Sequence, residues 1–287
     1  MSSTQSLKRA ALSDKWLSFI SPAKINLFFR VLYKREDGFH EIASLYQAIN
    51  LCDTLYFNFS EKDLFTCSNS SLAMDDKNLI YKALELFRKK TGKQDPISIH
   101  LEKRIPMQAG LGGGSSNAAT TLFALNQIFS TNLSQKELIE LGSVLGSDVP
   151  FFFSSGTAYC TGRGEKLQEL PFPKGLQSSC IWIAKPKIGL STPLVYGACK
   201  PELLFQRDPK ENFSLFYNDL EIAAFSICPE LQMLKQILLE SGFETVVLCG
   251  SGTAFFCIGS NQPPQIEGIE FFKTKSFSKE NARWYEI

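Results

Sequence analysis

The sequence predicts an α+β fold of one or two domains, and three observations carry that prediction. A chain of 287 residues, 44% hydrophobic and 21% charged, is long enough to bury two cores of ordinary domain size. Residues 16–59 read as strands in succession, with no helical period between them. Beyond residue 78, amphipathic helical patterns alternate with short strands, which is a mixed architecture and not an all-β one.

The elements follow in order. Strands are expected at Trp16 to Ser21, Ile25 to Leu32, Ile42 to Ile49 and Thr54 to Phe59, the last alternating Leu55, Phe57 and Phe59 with polar partners. Asn78 precedes a helical pattern of Leu79, Ile80, Ala83, Leu84, Leu86 and Phe87, and Gly92 ends it just after Lys89 and Lys90. Ile97, Ile99 and Leu101 alternate as a further strand. A glycine-rich stretch then feeds an apolar helix from Ala118 to Phe129. Ser134 and Glu137 form a capping box that opens a helix through Leu145, and Gly146 to Pro150 breaks it. Strands at Thr157 to Thr161, Cys180 to Ala184, Thr245 to Cys249 and Thr253 to Ile258, with helices at Asn218 to Phe225 and Glu230 to Ser241, complete the chain. Turns at Ser154-Ser155-Gly156 and Gly162-Arg163-Gly164 suggest a division into domains 1–160 and 161–287.

Composition removes several functions. Thirty Lys and Arg against 29 Asp and Glu give a net charge of +1, so no long-range field gathers nucleic acid or an anionic membrane. Two histidines, His40 and His100, leave little from which to build a metal-centred hydrolase. The eight cysteines form no Cys-x-x-Cys pair and mostly sit among apolar neighbours, as reduced core thiols of a cytoplasmic protein do. Met1 to Lys15 lacks the apolar core of a signal peptide, and no apolar run approaches the roughly 18 residues of a membrane span. The expected partner is therefore a small molecule, with neither nucleic acid nor membrane involved.

The strongest chemical signal is Gly110-Leu111-Gly112-Gly113-Gly114-Ser115-Ser116-Asn117. Four glycines among five residues let backbone N–H groups approach an anion without Cβ obstruction, and the helix that follows adds its positive end. The lysine and Ser/Thr of a Walker loop are absent, and the last glycine of the dinucleotide fingerprint is replaced by Ser115. A third type of phosphate loop is the favoured reading, against a tight strand-to-helix connection that binds nothing.

Read from Pro106 to Ala119, this stretch resembles the phosphate motif of the GHMP kinases. Ser21-Pro22-Ala23-Lys24-Ile25-Asn26-Leu27 resembles that family's N-terminal motif, and Leu248-Cys249-Gly250-Ser251-Gly252-Thr253-Ala254 its C-terminal glycine turn. The resemblance implies an N-terminal ribosomal-protein-like α/β domain, a phosphate loop of the left-handed-crossover type, and a C-terminal ferredoxin-like α/β sandwich. Arg35 to Glu41, Leu145 to Phe151 and Gly162 to Glu165 are similar to the branch of the family that phosphorylates the 2-hydroxyl of 4-diphosphocytidyl-2-C-methyl-D-erythritol, on the non-mevalonate route to isoprenoid precursors. Phe39 departs from that branch, where tyrosine is usual; the ring is kept and the hydroxyl is lost. Other GHMP kinases, acting on mevalonate or homoserine, and a nucleotide-binding regulator without turnover are the alternatives.

The resemblance also implies roles. Asp148 is the expected catalytic base, the bland alternative being an N-cap for Pro150-Phe151-Phe152. Lys24 is expected to hold Asp148 ionised and orient the hydroxyl. ATP is expected on Pro106, Gly110, Leu111, Gly112, Gly113, Gly114, Ser115, Ser116, Asn117 and Lys103. Mg²⁺ is expected to be held mainly by phosphate and water. Phe39 and Tyr196 are expected to stack on cytosine, His40 to fix its edge, Asn26 to touch the methylerythritol end, and Thr192 to lie on the substrate side. A monomer or weak homodimer is expected.

Overall fold

The computed structural model describes residues 16–73, 75–171, 180–204, 216–259, 262–278 and 285. β1 (Leu17–Lys34) and β2 (His40–Phe59) run antiparallel along nearly their whole length, where the sequence suggested four shorter strands. The apparent breaks are bulges: the register shifts between Pro22 and Ala23, Asn26 and Phe28, and Val31 and Tyr33. A bulge lets the ladder continue past a proline that has no N–H to donate, and it re-aims the neighbouring side chains. Lys24 and Asn26 sit between the first two shifts.

The first sheet has the order β3 (Leu64–Cys67), β4 (Ile97–Glu102), β2, β1, β8 (Tyr217–Asn218); β5 (Thr157–Gly162) pairs with the other half of β2, and β6 (Lys166–Glu169) pairs with β5. Its outer face packs on α1 (Leu79–Thr91), α2 (Gly113–Ile128) and α3 (Gln135–Leu145), through a core that includes Leu55, Phe57, Leu84, Phe87, Leu122 and Phe152. The caps are those the sequence predicts. Asn78 accepts from the Ile80 N–H, Gly92 closes α1 at φ +71°, and Ser134 and Glu137 bond reciprocally. α2 starts five residues earlier than expected, within the glycine run itself. Tyr285 returns to this core from far along the chain: it is fully buried, stacks on Phe123 with ring centroids 4.5 Å apart, and donates its hydroxyl to the Phe152 carbonyl.

The second sheet is antiparallel throughout, ordered β11 (Ile269–Thr274), β7 (Ile181–Pro186), β10 (Phe255–Ile258), β9 (Thr245–Leu248). α4 (Thr192–Ala198), α5 (Leu220–Ile227) and α6 (Pro229–Glu240) pack on it around Val195, Leu220, Leu231, Leu238 and Phe255. A middle cluster, with Ile25, Leu27, Leu45 and Leu111 from one side and Ile183, Val247 and Phe256 from the other, joins the two sheets. The division expected at residue 160 falls inside β5. The Gly162–Gly164 turn is the β5–β6 hairpin, not a linker, so the first sheet keeps the chain through Glu169 and later takes back Tyr217 and Asn218. Among the described residues no single helix is long and apolar enough to cross a membrane.

Candidate active site

Asp53 organises the approach to the glycine loop. It is fully buried in β2 and accepts from the N–H groups of Arg104 and Ile105, each at 2.8 Å, and from the Lys103 ammonium at 2.8 Å. Burial pulls the Lys103 ammonium below its ordinary range, with Asp53 opposing. The loop then turns through left-handed backbone at Gln108 (φ +55°), Gly110 (φ +78°) and Gly112 (φ +69°). At Gly110 the reason is proximity: a Cβ there would fall 1.7 Å from the Cys249 carbonyl oxygen. The two glycine segments therefore meet backbone to backbone, and Thr253 and Ala254 donate N–H bonds to the carbonyls of Gln108 and Ala109 at 3.3 and 3.4 Å. Asn218 secures the partner turn by donating to the carbonyls of Leu248 and Gly250 at 2.8 and 2.7 Å.

α2 follows at once, with Gly112 as an N-cap that makes no side-chain cap bond. The first N–H groups of the helix have no intrahelical partner and receive no cap bond from the N-cap side chain, which is an anion-binding arrangement. Ser21 anchors the turn by donating to Asn117 Oδ1 at 2.7 Å, with its oxygen 2.8 Å from Ser116 Oγ, whose hydroxyl can donate to it.

The loop forms one wall of a cleft of about 1020 Å³. Lys24 and Asp148 face each other within it, Nζ to Oδ2 at 3.5 Å, with Lys24 3% and Asp148 29% exposed. Behind Lys24, Asn26 Oδ1 accepts from the ammonium at 2.8 Å, while the Asn26 amide donates to Ser44 at 3.0 Å. Tyr46 donates to Asp148 Oδ1 at 2.9 Å, and the Lys24 ammonium lies 4.7 Å from the centre of the Tyr46 ring. Burial, and then the charge of Asp148, push the Tyr46 phenol well above its ordinary range. Asp148 does not serve as a cap, the alternative to its expected role as base: the N-cap of the 3-10 turn Pro150–Phe153 is Val149, and it makes no side-chain cap bond.

Beyond this pair lies an aromatic end. His40, at the start of β2, packs against Tyr196 of α4 with centroids 5.2 Å apart, and burial followed by the charge of Lys34 lowers the imidazole below its usual pKa. Phe39 is half-exposed, with the Arg163 guanidinium 4.8 Å from its ring centre. Thr192 shares a 2.9 Å hydrogen bond with Ser251. The Arg35–Phe39 turn is braced by Arg35, which pairs with Asp37 and Glu41, and Glu41 also accepts the Gly162 N–H at 3.0 Å.

The cleft brings together Lys24, Phe39, His40, Lys103, Pro106, Gly110 to Ser115, Asn117, Asp148, Thr192 and Tyr196. Two expected residues do not line it. Asn26 is fully buried and bonds the Lys24 ammonium from behind; Ser116 is fully buried and turned toward Ser21. Lys103 lines the cleft, but its ammonium donates to both Asp53 oxygens and to the Ile105 carbonyl, so its charge serves the loop's foundation. The sequence reading missed Tyr46, Asp53, Arg163 and Ser251. Tyr46 reads as one more apolar residue of a strand, whereas Asp53 gives a faint signal as an acid between Cys52 and Leu55 in an apolar stretch.

Residues 78–156 match the family model for the GHMP kinases N terminal domain. The chain is 48% identical to a 4-diphosphocytidyl-2-C-methyl-D-erythritol kinase of Protochlamydia amoebophila over 94% of its length and 93% of the relative's. It is 42% identical to the chloroplastic enzyme of that name from Arabidopsis thaliana, over 97% and 78%. A crystal structure of 4-(cytidine 5'-diphospho)-2C-methyl-D-erythritol kinase superposes with a TM-score of 0.73 at 34% identity, over 84% of this chain and 90% of that one. A mevalonate kinase structure at 14% identity shares the fold, with a TM-score of 0.69 over 91% and 99%. A two-domain α+β chain with this loop, this acid–lysine pair and these relatives belongs to the 4-diphosphocytidyl-2-C-methyl-D-erythritol kinase family of GHMP kinases.

Proposed function

We propose that the cleft transfers the γ-phosphoryl group of ATP to the 2-hydroxyl of 4-diphosphocytidyl-2-C-methyl-D-erythritol, with Asp148 as base. The observation that carries this reading is the Lys24–Asp148 pair, 3.5 Å apart, set between an uncapped helix N-terminus and an aromatic end. Phosphoryl transfer is mostly a matter of position and charge. The N–H groups of Gly113, Gly114 and Ser115 hold phosphate oxygens. Asp148 takes the hydroxyl proton as the new O–P bond forms and the bond to the β-phosphate oxygen breaks. Lys24 pairs with Asp148 and offsets charge on the transferring oxygens. Tyr196 and Phe39 stack on cytosine, and His40, held neutral by burial, meets its edge.

Asp148 is the one acid among the described residues lining the cleft, and the described residues include no cluster of three or more His, Cys, Asp or Glu side chains. That donor set fits Mg²⁺ held chiefly by phosphate and water, with Asp148 and Ser115 as the side chains that would meet it; the ion would offset phosphate charge. Eight free cysteines support action in the cytoplasm. Action as a monomer or weak homodimer is part of this reading.

The test is ADP release with the cytidine substrate beside methylerythritol phosphate lacking the cytidylyl group, which is expected to be a very poor acceptor. Tyr196→Ala is expected to raise KM for the cytidine substrate roughly 5- to 150-fold, the equivalent of about 1–3 kcal/mol of stacking, with less effect on KM for ATP. Equal use of both acceptors, or an unaltered KM in Tyr196→Ala, rejects the reading.

A further inference from the structure

Asp148 sits on a connection rather than on a regular element, past the end of α3 and before the 3-10 turn. A carboxylate so placed has rotamers to choose from, and general-base catalysis tolerates only the one that meets the acceptor hydroxyl. The contact with Lys24, at 3.5 Å, is an ion pair longer than a close hydrogen bond, whereas the Tyr46 hydroxyl is 2.9 Å from the other carboxylate oxygen.

Tyr46 is itself rigid. It lies mid-strand in β2, opposite Asn26 of β1 on one side and Ala158 of β5 on the other, and is 1% exposed. Phe151 meets its ring edge-on at 5.3 Å, and the Lys24 ammonium sits 4.7 Å from the ring centre. Gly164 backs the hydroxyl so closely that a Cβ there would be 3.0 Å from it.

We propose that Tyr46 is a positioning residue of the reaction: its hydroxyl, donating to one oxygen of Asp148 while Lys24 faces the other, fixes the rotamer in which the base meets the acceptor hydroxyl. The inference rests on the assignment of Asp148 as base. A strand disciplines a loop, and the ring carries Lys24 on its face, so one side chain aligns both members of the pair. The packing needs only the ring, whereas Asp148 needs the hydroxyl. A phenol held well above its ordinary range remains a donor throughout the working pH range.

Steady-state kinetics of full-length Tyr46→Phe with ATP and the cytidine substrate, across about pH 5–9, test this. Turnover is expressed per ATP-binding site, so a partly unfolded sample does not mimic the result. The expected outcome is a kcat lower by about 5- to 50-fold, with both KM values within about 2-fold of wild type. The acidic limb of the kcat profile moves to higher pH, because a donor to a carboxylate has been removed. In an Asp148→Asn background, Tyr46→Phe costs nothing more. Unchanged kcat and pH limb, a raised KM at unchanged kcat, or an equal loss in the Asp148→Asn background overturns the proposal. Wild-type turnover in Asp148→Asn alone is a separate result: it removes the base, and with it the reading on which Tyr46 depends.

Discussion

Gly252→Ala should damage catalysis from a residue that touches no substrate. A Cβ at Gly252 would fall 2.1 Å from the Gly110 nitrogen, and 2.2 and 2.6 Å from the carbonyl carbon and oxygen of Ala109. Those atoms are backbone, so no side chain can swing aside. Restoring an ordinary carbon contact of about 3.5 Å moves one glycine segment away from the other by more than an ångström. The phosphate loop takes up part of that shift because it is bonded to the displaced turn, and a displacement of about 1 Å at a reacting site can cost roughly 10²-fold in rate. Overpacking of this kind costs about 1–3 kcal/mol, or roughly 2–12 °C in melting temperature for a chain of this size. The assay is kcat/KM for ATP together with a thermal melt. Gly197→Ala, whose added Cβ meets nothing within 4 Å, is the melting control. A Gly252→Ala enzyme with wild-type kcat/KM and melting temperature would refute the claim that the two glycine segments set each other's position.

Two further outcomes are expected. Asp53→Asn leaves the buried Lys103 ammonium without its counter-charge and should lower stability by about 3–5 kcal/mol, read as a fall in the urea midpoint; an unchanged midpoint refutes the clamp. Asp63 bonds Arg88 at 2.7 and 2.8 Å, and these bonds, with the Ile97 N–H, hold its carboxyl below the ordinary range although burial opposes them. With the folded value below the unfolded one of about 3.9, this contribution is fully present above that pH and is lost as pH falls through the folded value. The gap in melting temperature between wild type and Asp63→Asn should therefore close below about pH 4; a gap of constant size from pH about 7 to 3 rejects the pairing.

Local signals were legible, and distant ones were not. Asn78, Gly92, Ser134 and Glu137 declare their caps because each cap lies within one helical turn of its partner. The glycine run is visible because residue type alone says where backbone must be bare. The continuity of β1 past Ser21 is hidden, since a bulge absorbs a proline that would end an ordinary ladder. β8 escaped because two residues carry no period. The roles of Phe39, His40 and Tyr196 came from resemblance, as single aromatics do not announce a ligand. Tyr46 and Asp53 find their partners 102 and 50 residues away, and no pattern of spacing encodes such a meeting.

Tyr285 bears on the order in which the chain is made. It stacks on Phe123, and its carbonyl accepts the Ile20 N–H at 3.1 Å, so the first core closes with a residue translated after the whole of the second sheet. At about 5–20 residues per second, Tyr285 follows Phe153 off the ribosome by on the order of ten seconds. During that interval Phe123 lacks its stacking partner and Phe153 one of its aromatic neighbours, so the first core is short of a fully buried ring until Tyr285 arrives.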